Sequence, residues 1–123
     1  MPQHSIVHVE LPSADLAQSG RFYAELFGWE TQHVPELNYT MFSAEGGPGG
    51  GFPPIDGAMV NPNNVLIYVD TDDMEASLAK AEALGGSMVV PRTAIPGDNG
   101  WFAIFTDLSG NRVALYTGNQ PTI

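Results

Sequence analysis

The sequence contains no cysteine and little positive charge. Its 123 residues include four lysines and arginines against 14 acidic residues, which gives a formal net charge of −10. The absence of cysteine excludes disulfide bonds, thiolate metal ligands and a cysteine nucleophile, and it fits a reducing compartment, so we expect a cytoplasmic protein. Nucleic-acid binding requires clustered positive charge, so the charge balance excludes a nucleic-acid partner. The acidic charge serves solubility, or it attracts a cationic small molecule.

Long hydrophobic runs are also missing. No apolar run reaches the roughly 18 residues that a membrane-spanning helix needs, so we expect no membrane partner. The N-terminal residues MPQHSIVHVE lack the basic and then apolar pattern of a signal peptide. The length and the hydrophobic content of 43% suit one globular domain with a real core. We therefore expect a single domain over residues 1–123.

What the sequence does contain is an internal repeat. Residues 7–30 align with residues 65–88 at a shift of 58 positions. Each copy shows alternating apolar residues, then a helical segment, a glycine and further strand-like residues. A period of this length indicates a duplicated supersecondary unit. The pattern predicts two βαβββ modules, at about residues 5–54 and about residues 64–118, joined by a linker at residues 55–63.

The helix boundaries follow from local signals. Ser13 is a suitable N-cap for the first helix, and Gly28 supplies its C-terminal stop. Asp72 and Glu75 form the pattern of a capping box for the second helix, which we expect to end near Leu84.

A glycine- and proline-rich stretch, GGPGGGFPP, occupies residues 46–54. No Gly-Lys-Ser/Thr sequence follows it, so it is not a nucleotide-binding phosphate loop. We interpret it as a flexible crossing or as a short edge strand interrupted by Pro53 and Pro54.

Four segments in this order, together with the repeat, resemble the vicinal oxygen chelate superfamily. They are HVELPSAD (8–15), RFYAELFGW (21–29), DDMEASLAKAEALGG (72–86) and DLSGNRVALY (107–116). The superfamily includes glyoxalase I, extradiol dioxygenases and the fosfomycin- and bleomycin-resistance proteins. The resemblance implies an α+β fold in which two βαβββ modules form a curved mixed sheet, a cup that holds the site. Related chains often dimerise, so we also expect a homodimer.

The resemblance also implies where a metal would bind. In the enzymes of the family, four side chains inside the cup hold a divalent ion. His8 matches the first position, but the second falls at residues 50–52, where no ligand is present. The third falls on Leu66, or on Asn64 after a two-residue slip, and the fourth on Ala114. One imidazole does not hold a hard divalent ion, so we predict no metal site and no cofactor.

His8 and Glu10 are the candidate catalytic residues. His8 is either a histidine of the cup wall bonded to a neighbour, or a general base or hydrogen-bond donor to a ligand. Glu10 is either a solvated acid, or it pairs with a ligand cation or with Arg112.

Aromatic residues complete the predicted ligand-binding set. Tyr68 and Tyr116 share the strand parity of His8, and the repeat places other rings near them. The set comprises His8, Phe42, Phe52, Tyr68, Trp101, Arg112 and Tyr116. Ordinary core packing is the alternative for each ring. An apolar wall with few polar anchors is typical of a small-molecule site.

Two functional hypotheses follow. The first is a metal-free protein, similar to the bleomycin-resistance branch, that binds an apolar or cationic small molecule. The second is a lyase, isomerase or dioxygenase-like enzyme that uses a divalent metal, or uses His8 or Glu10 as a base. A structural or partner-binding role without a ligand stays open, and the sequence shows no Ser-His-Asp pattern.

Overall fold

The computed structural model describes residues 4–118, which form two α-helices and eight β-strands. The chain divides into two compact units. One is Val7–Ile67, and the other comprises residues 4–6 with residues 68–118. Each unit carries one of the predicted modules, and the assignment of both to a single domain remains a prediction. Neither helix within residues 4–118 is long and apolar enough to cross a membrane.

The first module is a four-stranded mixed sheet with one helix. Its elements are β1 (Ile6–Glu10), α1 (Leu16–Phe27), β2 (Glu30–Val34), a 3-10 turn (Pro35–Leu37), β3 (Tyr39–Ser43) and β4 (Gly49–Phe52). The strand order is β2-β3-β4-β1, in which β1 and β4 are parallel and the other pairs are antiparallel. The glycine-rich segment is therefore an inner strand of its module, and the expectation of an edge strand or flexible crossing was wrong. The two prolines cause no interruption because they follow the last residue of β4.

The N-cap of helix α1 lies two residues after the predicted one. Asp15 is the N-cap, and its carboxylate accepts a hydrogen bond from the backbone N–H of Gln18 at 3.0 Å. Ser13 is buried instead, and its hydroxyl bonds that of Ser19 at 2.6 Å. The helix ends at Gly28, as predicted, with φ +76°.

The second module repeats this arrangement. Its elements are β5 (Leu66–Asp70), α2 (Met74–Ala83), β6 (Ser87–Ala94), β7 (Trp101–Thr106) and β8 (Arg112–Thr117), in the strand order β5-β8-β7-β6. Asp73, and not Asp72, caps α2 through a 3.0 Å bond from the backbone N–H of Ala76. The α+β prediction with two βαβββ modules is thus confirmed.

Register shifts between Met88 and Val90 and between Val90 and Thr93 let strand β6 continue past Pro91.

Each module has its own core between helix and sheet. In the first, the rings of Tyr23 and Trp29 stack on Phe52 and Phe42 at centroid distances of 5.6 and 4.4 Å. In the second, α2 and the sheet bury a cluster of Met74, Leu78, Ala103 and Leu115, against which Val69, Trp101 and Phe105 pack. These contacts fix which face of each sheet points toward its helix.

Candidate functional site

Strand register separates the two faces of the first module. Val9, Gly50 and Phe42 form one cross-strand row, on the face toward α1. Glu10, Gly51 and Met41 form the next row, and its side chains point to the opposite face because side chains alternate along a strand. His8 and Tyr39 share the parity of this second row. The candidate site therefore lies on the face away from α1.

On this face, Tyr39 joins His8 to Glu10. The Tyr39 hydroxyl lies 2.7 Å from Nε2 of His8 and donates to Oε2 of Glu10 at 2.8 Å. A phenol carries a single O–H proton, so once that proton goes to Glu10 the hydroxyl oxygen accepts from His8. The donation thus runs from His8 to Tyr39 to Glu10, and it requires the imidazole proton on Nε2. The aromatic rings of His8 and Tyr39 are 6.3 Å apart and nearly parallel.

Gly51 makes this contact possible. A Cβ built at position 51 would overlap the ring and hydroxyl of Tyr39. Only glycine lets the tyrosine lie across β4 and reach the two side chains of β1. Tyr39 is the residue that the predicted site set omitted, although the repeat placed it near the site. The glycine run in the strand beside it was the available signal, because glycine within a strand often marks a close approach.

Burial sets the charge state of His8. His8 is half-buried, and the loss of solvation lowers its pKa below the usual value of 6.5. The neutral imidazole therefore predominates at physiological pH. It retains hydrogen-bonding capacity and, unlike an imidazolium, it accepts a proton.

The residues present do not fit the four-ligand metal site that the fold family implies. The second ligand position falls on the glycines of β4, where the ring of Tyr39 fills the space of a side chain at Gly51. Leu66 and Ala114 carry no donor atom in their side chains. Within residues 4–118, no group of three or more histidine, aspartate or glutamate side chains is arranged to hold a metal ion.

Tyr68 and Tyr116 lie on the face of their module that points away from α2, as their parity predicted. Tyr68 pairs with Ala114 across the ladder, and Tyr116 is two residues further along β8. The Tyr116 hydroxyl donates to the carbonyl of Asn99 at 2.9 Å. The N-caps Asp15 and Asp73 keep the shift of 58 positions, so Leu66 corresponds to His8 in the repeat and Tyr68 corresponds to Glu10.

Three other residues of the predicted set do not join these faces. Phe42 and Phe52 are 5% and 1% exposed in the core beneath α1. Trp101 packs on the helix side of its sheet, where the guanidinium of Arg92 lies 4.8 Å from the ring centroid. These three rings pack on the helix side of their sheets, in agreement with the alternative interpretation of ordinary core packing. Arg112 is exposed at the start of β8, paired with Thr106.

Comparisons with known proteins agree with this architecture. A family model described as Glyoxalase/Bleomycin resistance protein/Dioxygenase superfamily matches residues 5–115. "Putative glyoxylase CFP32" of Mycobacterium tuberculosis is 28% identical over 127 residues. "Anthracycline biosynthesis protein DnrV" of Streptomyces peucetius is 29% identical over 132 residues.

The extent of these matches differs between the chains. They cover 91% and 87% of this chain but 45% and 44% of the two relatives, so the chain spans less than half of their length. The crystal structure of methylmalonyl-CoA epimerase from Mycobacterium tuberculosis has a TM-score of 0.70 at 13% identity, with 94% of this chain and 88% of that chain covered. The fold is therefore that of the vicinal oxygen chelate proteins, and the chain belongs to the Glyoxalase/Bleomycin resistance protein/Dioxygenase superfamily.

Proposed function

We propose that this protein binds a small molecule, without a metal, on the face of the first module that carries His8, Tyr39 and Glu10. The observation that supports the proposal is the hydrogen-bond chain across these three side chains, which fixes an imidazole and a carboxylate in place before a ligand arrives. Preorganised polar groups on an otherwise apolar surface are typical of small-molecule sites. Met41, which is 42% exposed in the same cross-strand row as Glu10, supplies adjacent apolar surface.

The chemistry of the anchor favours an apolar ligand that carries a cationic or N–H donor group. A carboxylate has about four acceptor positions, so Glu10 can bond Tyr39 and still receive a donor from a ligand. The net charge of −10 raises the local concentration of cations. The names of the relatives, a glyoxylase and an anthracycline biosynthesis protein, also refer to small organic molecules.

Calorimetric titration tests this proposal with a panel of cationic aromatic compounds that includes bleomycin. We expect saturable binding by at least one compound, and a loss of at least tenfold in its affinity in Glu10→Gln and in Tyr39→Phe. Glu45→Gln is the matched control, because it removes the same charge from an exposed loop residue. The absence of saturable binding across the panel contradicts the proposal, and so does equal weakening by the control.

A second candidate function, proton transfer in a lyase or isomerase, rests on the neutral imidazole of His8. Its lowered pKa favours the form that accepts a proton. Exchange of protons next to the carbonyl of a panel of 2-oxo acids and thioesters, followed by NMR in D2O, tests this role. Exchange that requires His8 and is lost in His8→Gln would favour the enzyme, whereas no exchange above background would exclude this reaction for the panel.

We also propose a homodimer in the cytoplasm. The last two turns of α1 expose Phe22, Leu26 and Phe27 by 58%, 56% and 60%, and exposed apolar patches commonly mark interfaces. Sedimentation velocity tests the dimer, which Phe22→Lys with Leu26→Lys should convert to monomer. Fractionation of cells tests the location.

A further inference from the structure

A groove of about 300 Å3 lies between α1 and strands β2 and β3 of the first module. It exists because α1 presents small residues there, namely Ala17, Gly20 and Ala24. Gly20 is buried, and a Cβ at its position would come no closer than 3.7 Å to Thr31, the nearest neighbour. The volume is at the lower end of the range for small-molecule pockets. This groove is separate from the face that carries His8.

Polar side chains converge on the groove from both sides. Arg21 reaches it from the helix, and Thr31 and His33 line it from β2. Thr31 and His33 are paired with Phe42 and Thr40, and Phe42 belongs to the row that points toward α1. Nδ1 of His33 and the hydroxyl of Thr40 are 3.0 Å apart, and this hydrogen bond orients the imidazole.

The guanidinium of Arg21 lies on the exposed surface of α1. Among the residues that the structure describes, no carboxylate forms an ion pair with its guanidinium. This is noteworthy in a chain with 14 acidic residues and only four lysines and arginines. A guanidinium offers five N–H donors in a planar fork that matches a carboxylate or a phosphate.

We propose that this groove binds a small organic anion, with a carboxylate or phosphate head on a short apolar body. The Arg21 guanidinium donates two parallel hydrogen bonds to the anionic head, and the hydroxyl of Thr31 donates a further one. Leu16, Ala17 and Ala24 receive the apolar body. At about 30 Å3 for each water-sized group, the groove holds roughly ten non-hydrogen atoms. The site is independent of the proposed function, because it lies on the other face of the sheet.

NMR titration of the 15N-labelled protein tests the site with benzoate, with its neutral isostere benzamide, and with inorganic phosphate. We expect benzoate to shift the amides of residues 16–24 and 31–33 saturably, and benzamide to bind at least tenfold more weakly. If phosphate competes with benzoate, the groove recognises the oxyanion head alone. If phosphate does not compete, the groove requires a carboxylate. The proposal is overturned if neither anion shifts these amides saturably, or if benzamide binds as well as benzoate.

Two variants distinguish direct contact of benzoate with the groove from its long-range attraction to positive charge. Arg21→Gln should lower the association constant of benzoate at least tenfold, and Thr31→Val, which keeps the side-chain shape, at least threefold. Lys80→Gln is the matched control, because it changes the net charge equally from an exposed position on α2. It should leave the association constant within twofold. Equal losses in Arg21→Gln and Lys80→Gln would show that the association constant of benzoate depends on the net charge of the protein and not on contact with Arg21. This result would overturn the site.

Discussion

The ring of Tyr39 occupies the space that a side chain at position 51 would take, so Gly51 and Tyr39 form one structural unit. This unit holds the hydroxyl 2.7 Å from Nε2 of His8 and 2.8 Å from Oε2 of Glu10. The two residues come from different strands and are adjacent through the antiparallel pairing of β3 with β4. Their dependence on one another leads to the first prediction.

Gly51→Ala should lower the free energy of unfolding by about 1–3 kcal/mol, because the added methyl group forces the tyrosine ring out of place. In a Tyr39→Ala background the same substitution should cost much less, because all three nearest atoms to the added Cβ belong to Tyr39. Urea denaturation of the four proteins in this double-mutant cycle measures the coupling. A cost of Gly51→Ala that is unchanged by the removal of Tyr39 would contradict the relationship.

The second prediction concerns pH. Because burial lowers the pKa of folded His8 below 6.5, the unfolded chain binds the imidazole proton more readily than the folded one. The free energy of unfolding should therefore fall as the pH drops from about 6.5 toward the pKa of folded His8, and this contribution should be fully present above 6.5. His8→Gln should lack this component, and His33→Gln should retain it. The measurement is the difference in unfolding free energy between wild type and each variant from pH 8 to pH 5. The prediction would be contradicted if the unfolding free energies of wild type and His8→Gln changed by the same amount over this pH range.

The repeat allowed the fold to be predicted from the sequence. Alternation along the strands and the two glycine stops specified both modules and the parity of Tyr68 and Tyr116. Local composition predicted β4 less well. A Gly-rich segment next to prolines has low strand propensity, yet tertiary contacts require it as a strand, because a Cβ at Gly50 would overlap the carbonyl oxygen of Val9 and the ring of Phe42.

The candidate site was predicted only in part. His8 and Glu10 could be proposed from the sequence because alternation in one strand is a local signal. The bridging role of Tyr39 could not, because it depends on the pairing of three strands and on an absent side chain at Gly51. The sequence left the positions of Phe42 and Trp101 open for a related reason, since an aromatic residue in a strand fits a core and a pocket wall equally well.

The helix caps give a third prediction, which arises from the same ambiguity. Ser13 and Asp15 both suit an N-cap, but the structure uses Asp15. The Ser13 hydroxyl accepts the backbone N–H of Asp15 at 3.2 Å. Thr71 does the same for Asp73 at 3.2 Å in the second module.

Asp15→Ala should therefore lower the free energy of unfolding by about 1 kcal/mol, because the first turn of α1 loses its acceptor. Asp15→Asn is the matched control and should be nearly neutral, since an amide oxygen caps as well. Chemical denaturation measures both changes, and equal losses in the two variants would mean that the carboxylate acts by its charge and not as a cap.

The last prediction compares a glycine inside α1 with the glycine that caps its C-terminus. Gly20→Ala should raise the free energy of unfolding by up to about 1 kcal/mol, because alanine has the higher helix propensity and its Cβ would meet Thr31 only at an ordinary 3.7 Å. Gly28→Ala should lower it by about 1 kcal/mol, because Gly28 has φ +76° and no neighbour within 4 Å that a methyl group could contact. Thermal denaturation of the two variants checks the opposite signs. A loss of stability in Gly20→Ala would show that the space beside Thr31 is tighter than the structure indicates, and it would weaken the case for the groove at that position.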